Sequence, residues 1–345
     1  MSNTTVEPPV VNPAAAHSFL YGAYLGSACW ALRRFVASVS GDGKAFDKII
    51  NITTPGLGQG SITASVCLPK SKTPIGGRLP CVVVLEGGGF ILGEPNDGQD
   101  MCREMADKSG AIILSLDYAK APRYPFPHAL LQGYEVLQWL GTDQSQQVLS
   151  AEIDTSRVAL LGKSAGGNLV AALSLLVSFP AGPCASFRRD LGPDFRLRAQ
   201  LLLYPSTSNN ELYRVRYAGT DEAARTRSLP IWMAELMESA YLPPGIDVDQ
   251  IFVAPNLTTP TLLKELAPQL APCALFIAGL DCLKDEARAY AGLLRDAGIE
   301  TEVLDYPLAI HGFPHYKPGQ PDYREEDIKS CRASVVRILC ERFRQ

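Results

Sequence analysis

Only four histidines occur among the 345 residues, so any reaction that needs an imidazole base must draw on His17, His128, His311 or His315. Charge of one sign is nowhere concentrated: 32 Lys and Arg face 36 Asp and Glu, for a net charge of -4 and a pI near 5.7. That balance argues against a nucleic-acid partner and gives no long-range pull toward anionic membrane. No CxxC pair occurs, and the nine cysteines are scattered from Cys29 to Cys340. An odd count does not close into a complete disulfide framework, and several of these residues lie in apolar runs where a thiol behaves as a small hydrophobe. Reduced core thiols in a cytoplasmic protein are expected. The opening MSNTTVEPPVVNPAAA lacks the basic region and adjoining apolar stretch of a signal peptide. The uncharged run 18–32 is too short for a membrane span. Its apolar residues recur at helical spacing ahead of Arg33 and Arg34, which predicts an amphipathic helix packed on the protein's own body, with a membrane-surface position as the alternative.

What the chain does have is alternation. Short apolar runs at 61–68, 81–90, 111–118, 157–164, 199–206, 273–281 and 301–307 read as strands, most of them apolar on both faces. Between them, 97–110, 128–142, 167–178 and 284–298 carry helical patterns, with Gly110 and Gly298 at C-terminal cap positions. This order predicts an α/β fold with a mostly parallel central sheet and helices on both faces. Two stretches break the rhythm: residues 1–50, ahead of the main body 51–345, and an insertion at 207–255. The insertion holds Trp232, Met233, Leu236, Met237 and Tyr241 at roughly helical spacing, and the two stretches together predict a helical cap over the sheet's C-terminal edge. Trp232 and Tyr241 belong either to an apolar pocket or to the cap's own core.

The segment VALLGKSAGGNLVAAL ends an apolar strand at Ser164 and starts a helix, a G-x-S-x-G in strand–turn–helix context. Such a turn either is structural or holds a nucleophile. A serine needs a base and an oxyanion site to react. In LEGGGF, Gly87, Gly88 and Gly89 follow a strand and free backbone N–H groups to face a ligand. For the base, His311 in LAIHGF follows the strand 301–307 and is best placed, with His315 as the lesser candidate. Asp281 ends the strand 273–281, whereas Asp285 and Glu286 fall where carboxylates favour a helix start. Ser164, Asp281 and His311 therefore follow the chain order of an α/β-hydrolase triad.

With these residues on view, the chain resembles the hormone-sensitive-lipase-like branch of the α/β-hydrolases, carboxylesterases with an HGGG oxyanion loop and a GDSAGG elbow. The likeness runs from about residue 80 to 315 through EGGGF, DYAKAPRYPFPHAL, GKSAGGN, AGLDCLKDEARAYAGLLRDAG and IHGF. It implies Ser164 as nucleophile, Asp281 as acid, His311 as base, and the N–H groups of Gly88, Gly89 and Ala165 as oxyanion hole. It also implies a cap, a small-molecule ester substrate, no metal or organic cofactor, and a homodimer as one form of assembly. Two positions depart from the family pattern: Glu86 stands for the His before the glycines and Lys163 for the Asp before the serine. Because the strands they follow are neighbours in this fold, they are expected to form a charge-swapped pair beneath the elbow; the rival role for Lys163 is that of base.

The reaction this implies is hydrolysis of small to medium apolar carboxylic esters through an acyl-serine. The same acyl-enzyme would serve a transacylase or thioesterase in a biosynthetic pathway. A non-catalytic small-ligand receptor on the same fold is the alternative of another class, which the presence of His311 disfavours.

Overall fold

The computed structural model describes residues 5–38, 42–70 and 77–344. Eight strands make one sheet: β1 (Lys48–Thr53), β2 (Ser61–Cys67), β3 (Arg78–Leu85), β4 (Ile112–Asp117), β5 (Glu152–Lys163), β6 (Leu197–Leu203), β7 (Cys273–Ala278) and β8 (Thr301–Tyr306). They lie in the order β1-β2-β4-β3-β5-β6-β7-β8. From β4 to β8 every pairing is parallel, while β1–β2 and β2–β4 are antiparallel.

Strand β3 shows why the sheet is covered on both sides. Its Cys81, Val83 and Leu85 join one apolar core with Leu169, Val170 and Leu173 of the helix Ala165–Leu176. The alternate residues Val82 and Val84 join a second core with Met101, Met105, Val335 and Ile338 from the helices Gln99–Ser109 and Glu325–Phe343. Period-two alternation thus sends apolar side chains into both layers, as a central parallel strand requires.

All seven expected strands are present, and the sheet has one more. β1 begins at Lys48, inside the stretch expected to precede the sheet, so a boundary at residue 50 cuts through an edge strand. The insertion folds as helices Tyr213–Gly219, Glu222–Arg225 and Ile231–Tyr241. Tyr241 is buried, but Trp232 is 63% exposed, so it is not part of a buried cap core, and it does not line the cavity that Tyr241 lines.

The N-terminal helix spans Phe19–Ala37, and packing on the protein's body holds for only a narrow stripe of it. Leu25 and Cys29 are buried, whereas Phe19, Leu20, Trp30 and Phe35 point outward. Arg33 anchors it by donating from Nε to the Ile91 carbonyl at 2.6 Å and from Nη2 to the Ala121 carbonyl. No helix among the described residues is long and apolar enough to cross a membrane. All nine cysteines are free thiols and eight of them are buried.

Candidate active site

β5 ends at Lys163 and the next helix starts at Ala165, so Ser164 alone makes the turn. Its φ of +52° and ψ of −119° lie where side-chain-bearing residues are rare. The surroundings hold it there: Ser164 N–H donates to the Leu203 carbonyl at 2.9 Å, and Asn168 N–H donates to the Ser164 carbonyl at 3.1 Å. Gly166 lets the helix press against the neighbouring strand, since a Cβ there would sit 2.0 Å from the Leu85 carbonyl oxygen.

Three separate strand ends converge at this turn. His311 Nε2 lies 2.9 Å from Ser164 Oγ, and His311 Nδ1 lies 2.6 Å from Asp281 Oδ2. With the ring proton on Nδ1 donated to Asp281, Nε2 is left to accept from the serine hydroxyl. Asp281 also accepts from Leu283 N–H at 3.1 Å through Oδ1, and its side chain is 2% exposed. Burial alone would push the His311 pKa down, but the Asp281 carboxylate outweighs it by charge and hydrogen bond, and the net shift is upward. The Tyr204 ring meets His311 edge-on, with centroids 4.9 Å apart. Nothing in LLLYPS singles out Tyr204, because its contact with His311 depends on a strand-end turn with φ of +38°.

The glycines after β3 pass over the serine. Gly88 and Gly89 have φ of +120° and +58°, and their N–H groups reach no acceptor among the described residues. A Cβ on Gly89 would meet Met237 of the insertion, 2.1 Å from its sulfur. Gly87 leaves the loop room beside the elbow, where a Cβ would be 3.0 Å from the Lys163 carbonyl. Ala165 is buried at the first helical position.

Glu86 and Lys163 meet beneath the elbow. The register that pairs Leu85 with Gly162 brings them side by side, and Lys163 Nζ donates to both Glu86 oxygens at 2.8 and 2.9 Å. Both side chains are 1% exposed. Burial pushes the Glu86 pKa up against the opposing pull of Lys163. Gly98 packs on the pair so closely that a Cβ would lie 2.1 Å from Glu86 Oε1. Lys163 is thus engaged away from the serine hydroxyl. His315 is on this side as well: its Nδ1 is 2.8 Å from the Asp97 carbonyl and its Nε2 is 3.8 Å from Glu86 Oε2. Burial and the Lys163 charge push its pKa down to about 3, so it adds no charge beside the pair.

Above the triad lies a cavity of about 610 Å³ of empty space, including its open mouth. Ser164, Asp281, His311, Gly89 and Ala165 line it on the sheet side. Phe90, Tyr213, Leu229, Met237, Tyr241 and Leu242 make most of it apolar. Phe90, directly after the glycines, stacks on Tyr241 with centroids 3.6 Å apart. The insertion therefore roofs the site, while the N-terminal stretch braces the insertion from outside, with His17 Nε2 2.7 Å from the Ser239 carbonyl.

Known proteins share this fold. Residues 82–315 match the family described as alpha/beta hydrolase fold, and the chain belongs to it. The carboxylesterase NlhH of Mycobacterium tuberculosis is 29% identical over 243 residues, covering 69% of this chain and 68% of its own. The carboxylic ester hydrolase LipN of the same organism is 32% identical over 275 residues, covering 76% and 65%. The solved structure of a thermostable esterase from Pseudomonas putida ECU1011 matches with a TM-score of 0.69 at 26% identity, over 97% of this chain and 92% of that one. A hyperthermophilic esterase from the archaeon Pyrobaculum calidifontis matches in fold with a TM-score of 0.71 at 24% identity, over 94% and 98%.

Proposed function

We propose that the chain is a carboxylesterase-type serine hydrolase with Ser164 as nucleophile, His311 as general base and Asp281 as the acid that orients it. The observation that carries this reading is the unbroken line from Ser164 Oγ through His311 to Asp281, with spacings of 2.9 and 2.6 Å. Ser164 Oγ attacks the ester carbonyl carbon as its proton passes to His311 Nε2. The carbonyl oxygen becomes an oxyanion that the N–H groups of Gly88, Gly89 and Ala165 receive. Collapse expels the alcohol, which takes the proton from His311, and leaves an acyl-serine. Water, deprotonated by the same nitrogen, releases the acid. The Asp281 carboxylate favours the imidazolium that each step creates, in keeping with the upward pKa shift.

The apolar cavity suits small to medium acyl or alkyl groups. The insertion 207–255 acts as the cap, and the N-terminal stretch acts through it. Buried thiols without disulfide partners support a reducing, cytoplasmic setting.

Covalent labelling tests the reading. After exposure to a small fluorophosphonate, intact-mass spectrometry should find one adduct on the parent chain and none on Ser164→Ala, with labelling slowed at least about 100-fold in His311→Ala. A folded parent chain that takes no label would sink the esterase assignment and favour a ligand receptor.

A further inference from the structure

One wall of the cavity is polar, and the triad does not use it. Ser206, Asn209, Arg216 and Glu238 line it, and they are joined by hydrogen bonds. Arg216 Nη1 donates to Glu286 Oε2 at 2.9 Å and to Ser206 Oγ at 3.2 Å, while Nη2 donates to Glu238 Oε1 at 2.8 Å. Having accepted from Arg216, the Ser206 hydroxyl gives its hydrogen to Asn209 Oδ1 at 2.5 Å, which fixes the orientation of the amide. Glu286 is further occupied by the N–H of Thr207 at 2.6 Å, and Glu238 Oε1 by the N–H of Tyr213 at 2.8 Å. Three buried atoms are then left without a partner: Asn209 Nδ2, Arg216 Nε and Glu238 Oε2. Two are donors and one is an acceptor.

Unpaired polar atoms in a buried wall are costly to the fold and inviting to a ligand. A neutral hydroxyl answers this set. Its hydrogen suits an acceptor such as Glu238 Oε2, and its lone pairs suit donors such as Asn209 Nδ2 or Arg216 Nε. A carboxylate has no hydrogen for Glu238 and adds a like charge. An ammonium has no lone pair for the two donors, and an alkyl group leaves all three atoms unanswered. Resting on the esterase reading, we propose that this wall recognises a hydroxyl group on the substrate, so that the preferred esters carry a free hydroxyl on the acyl or the alcohol portion. Bonds formed there are shielded from water, which makes them selective.

Binding to the Ser164→Ala chain reads this recognition without turnover. Isothermal titration would compare 4-nitrophenyl 3-hydroxybutyrate with 4-nitrophenyl butyrate, and 4-hydroxybutyl butyrate with butyl butyrate. In at least one pair the hydroxylated ester should bind about tenfold more tightly or better. Adding Asn209→Leu, which spares the Arg216 ion pairs, or Glu238→Gln should bring that ratio toward one. Equal affinities within both pairs, or a ratio that survives both second substitutions, would overturn the proposal. Hydrolysis of 4-nitrophenyl butyrate by the parent chain reports separately on the esterase reading. Turnover without a hydroxyl preference defeats only the polar wall, and a preference in binding without turnover defeats only the esterase.

Discussion

At the scale of single residues, two charge arrangements carry different work. As the proposed base, His311 must be neutral to accept the serine proton, and Asp281 holds its pKa above the ordinary imidazole value of about 6.5. Activity is therefore lost as pH falls through that raised value. A kcat/KM profile should show an acid limb shifted upward from the ordinary imidazole value. In Asp281→Asn the main upward pull is gone and only the weaker charge of Glu286 opposes burial, so any residual activity should have its limb at lower pH; an unmoved limb would contradict this account. The Glu86–Lys163 pair, by contrast, lies beneath the elbow, and its proposed work is to position the loop and elbow. Removing one partner of a buried pair leaves an uncompensated charge, typically at a cost of about 3–5 kcal/mol. Lys163→Glu should lower chemical-denaturation stability by roughly that amount and abolish activity. Adding Glu86→Lys restores the opposite charges, and part of both losses should return. If the double variant were no better than the single one, the pair would not be what holds the two segments in register.

Among the secondary-structure elements, the N-terminal helix separates anchoring from surface. Its hold comes from Leu25, Cys29 and the two carbonyl contacts of Arg33. Trp30 and Phe35 are 64% and 67% exposed. Replacing both with Lys should change unfolding free energy by no more than about 1 kcal/mol, within the usual range for surface positions, whereas Arg33→Ala should cost more. Thermal and urea unfolding compare the two. The same scale shows what the sequence could reveal. Strands β3 to β8 are legible because continuous apolar runs between helical patterns leave few other readings. β1 is less so: KIINIT pairs at the sheet edge, where Ile49 is 69% exposed and polar residues interrupt the run. Ser164, Asp281 and His311 are legible because each lies within a few residues of the end of a strand with its own signature. Arg216, Glu238 and Glu286 carry no such mark, since Arg216 and Glu286 stand 70 positions apart and meet only through the folded insertion. The direction in which Trp232 points is likewise invisible to a helical pattern, which fixes spacing but not which face turns inward.

Across the whole molecule, the insertion and the sheet are fastened at the glycine loop itself. Tyr241 stacks on Phe90 and meets Phe126 edge-on, and its carbonyl accepts from Phe126 N–H at 3.0 Å. Tyr241→Ala removes this anchor and should destabilise the protein by about 3–5 kcal/mol, the usual cost of truncating a buried aromatic. It should also reduce kcat, because Phe90 adjoins the glycines proposed to receive the oxyanion. Denaturant melts alongside ester kinetics check both effects, and a large stability loss with unchanged kcat would mean that the loop keeps its shape without the cap.

Met237 occupies the place where a side chain on Gly89 would be, so roof and glycine loop are shaped to one another. This makes the chain a poor candidate for modular exchange. A foreign insertion grafted from a relative would bring a new specificity but would also re-form the loop beneath it. Selectivity can be transplanted here only by grafts that keep a flexible side chain at 237 and an aromatic ring at 241.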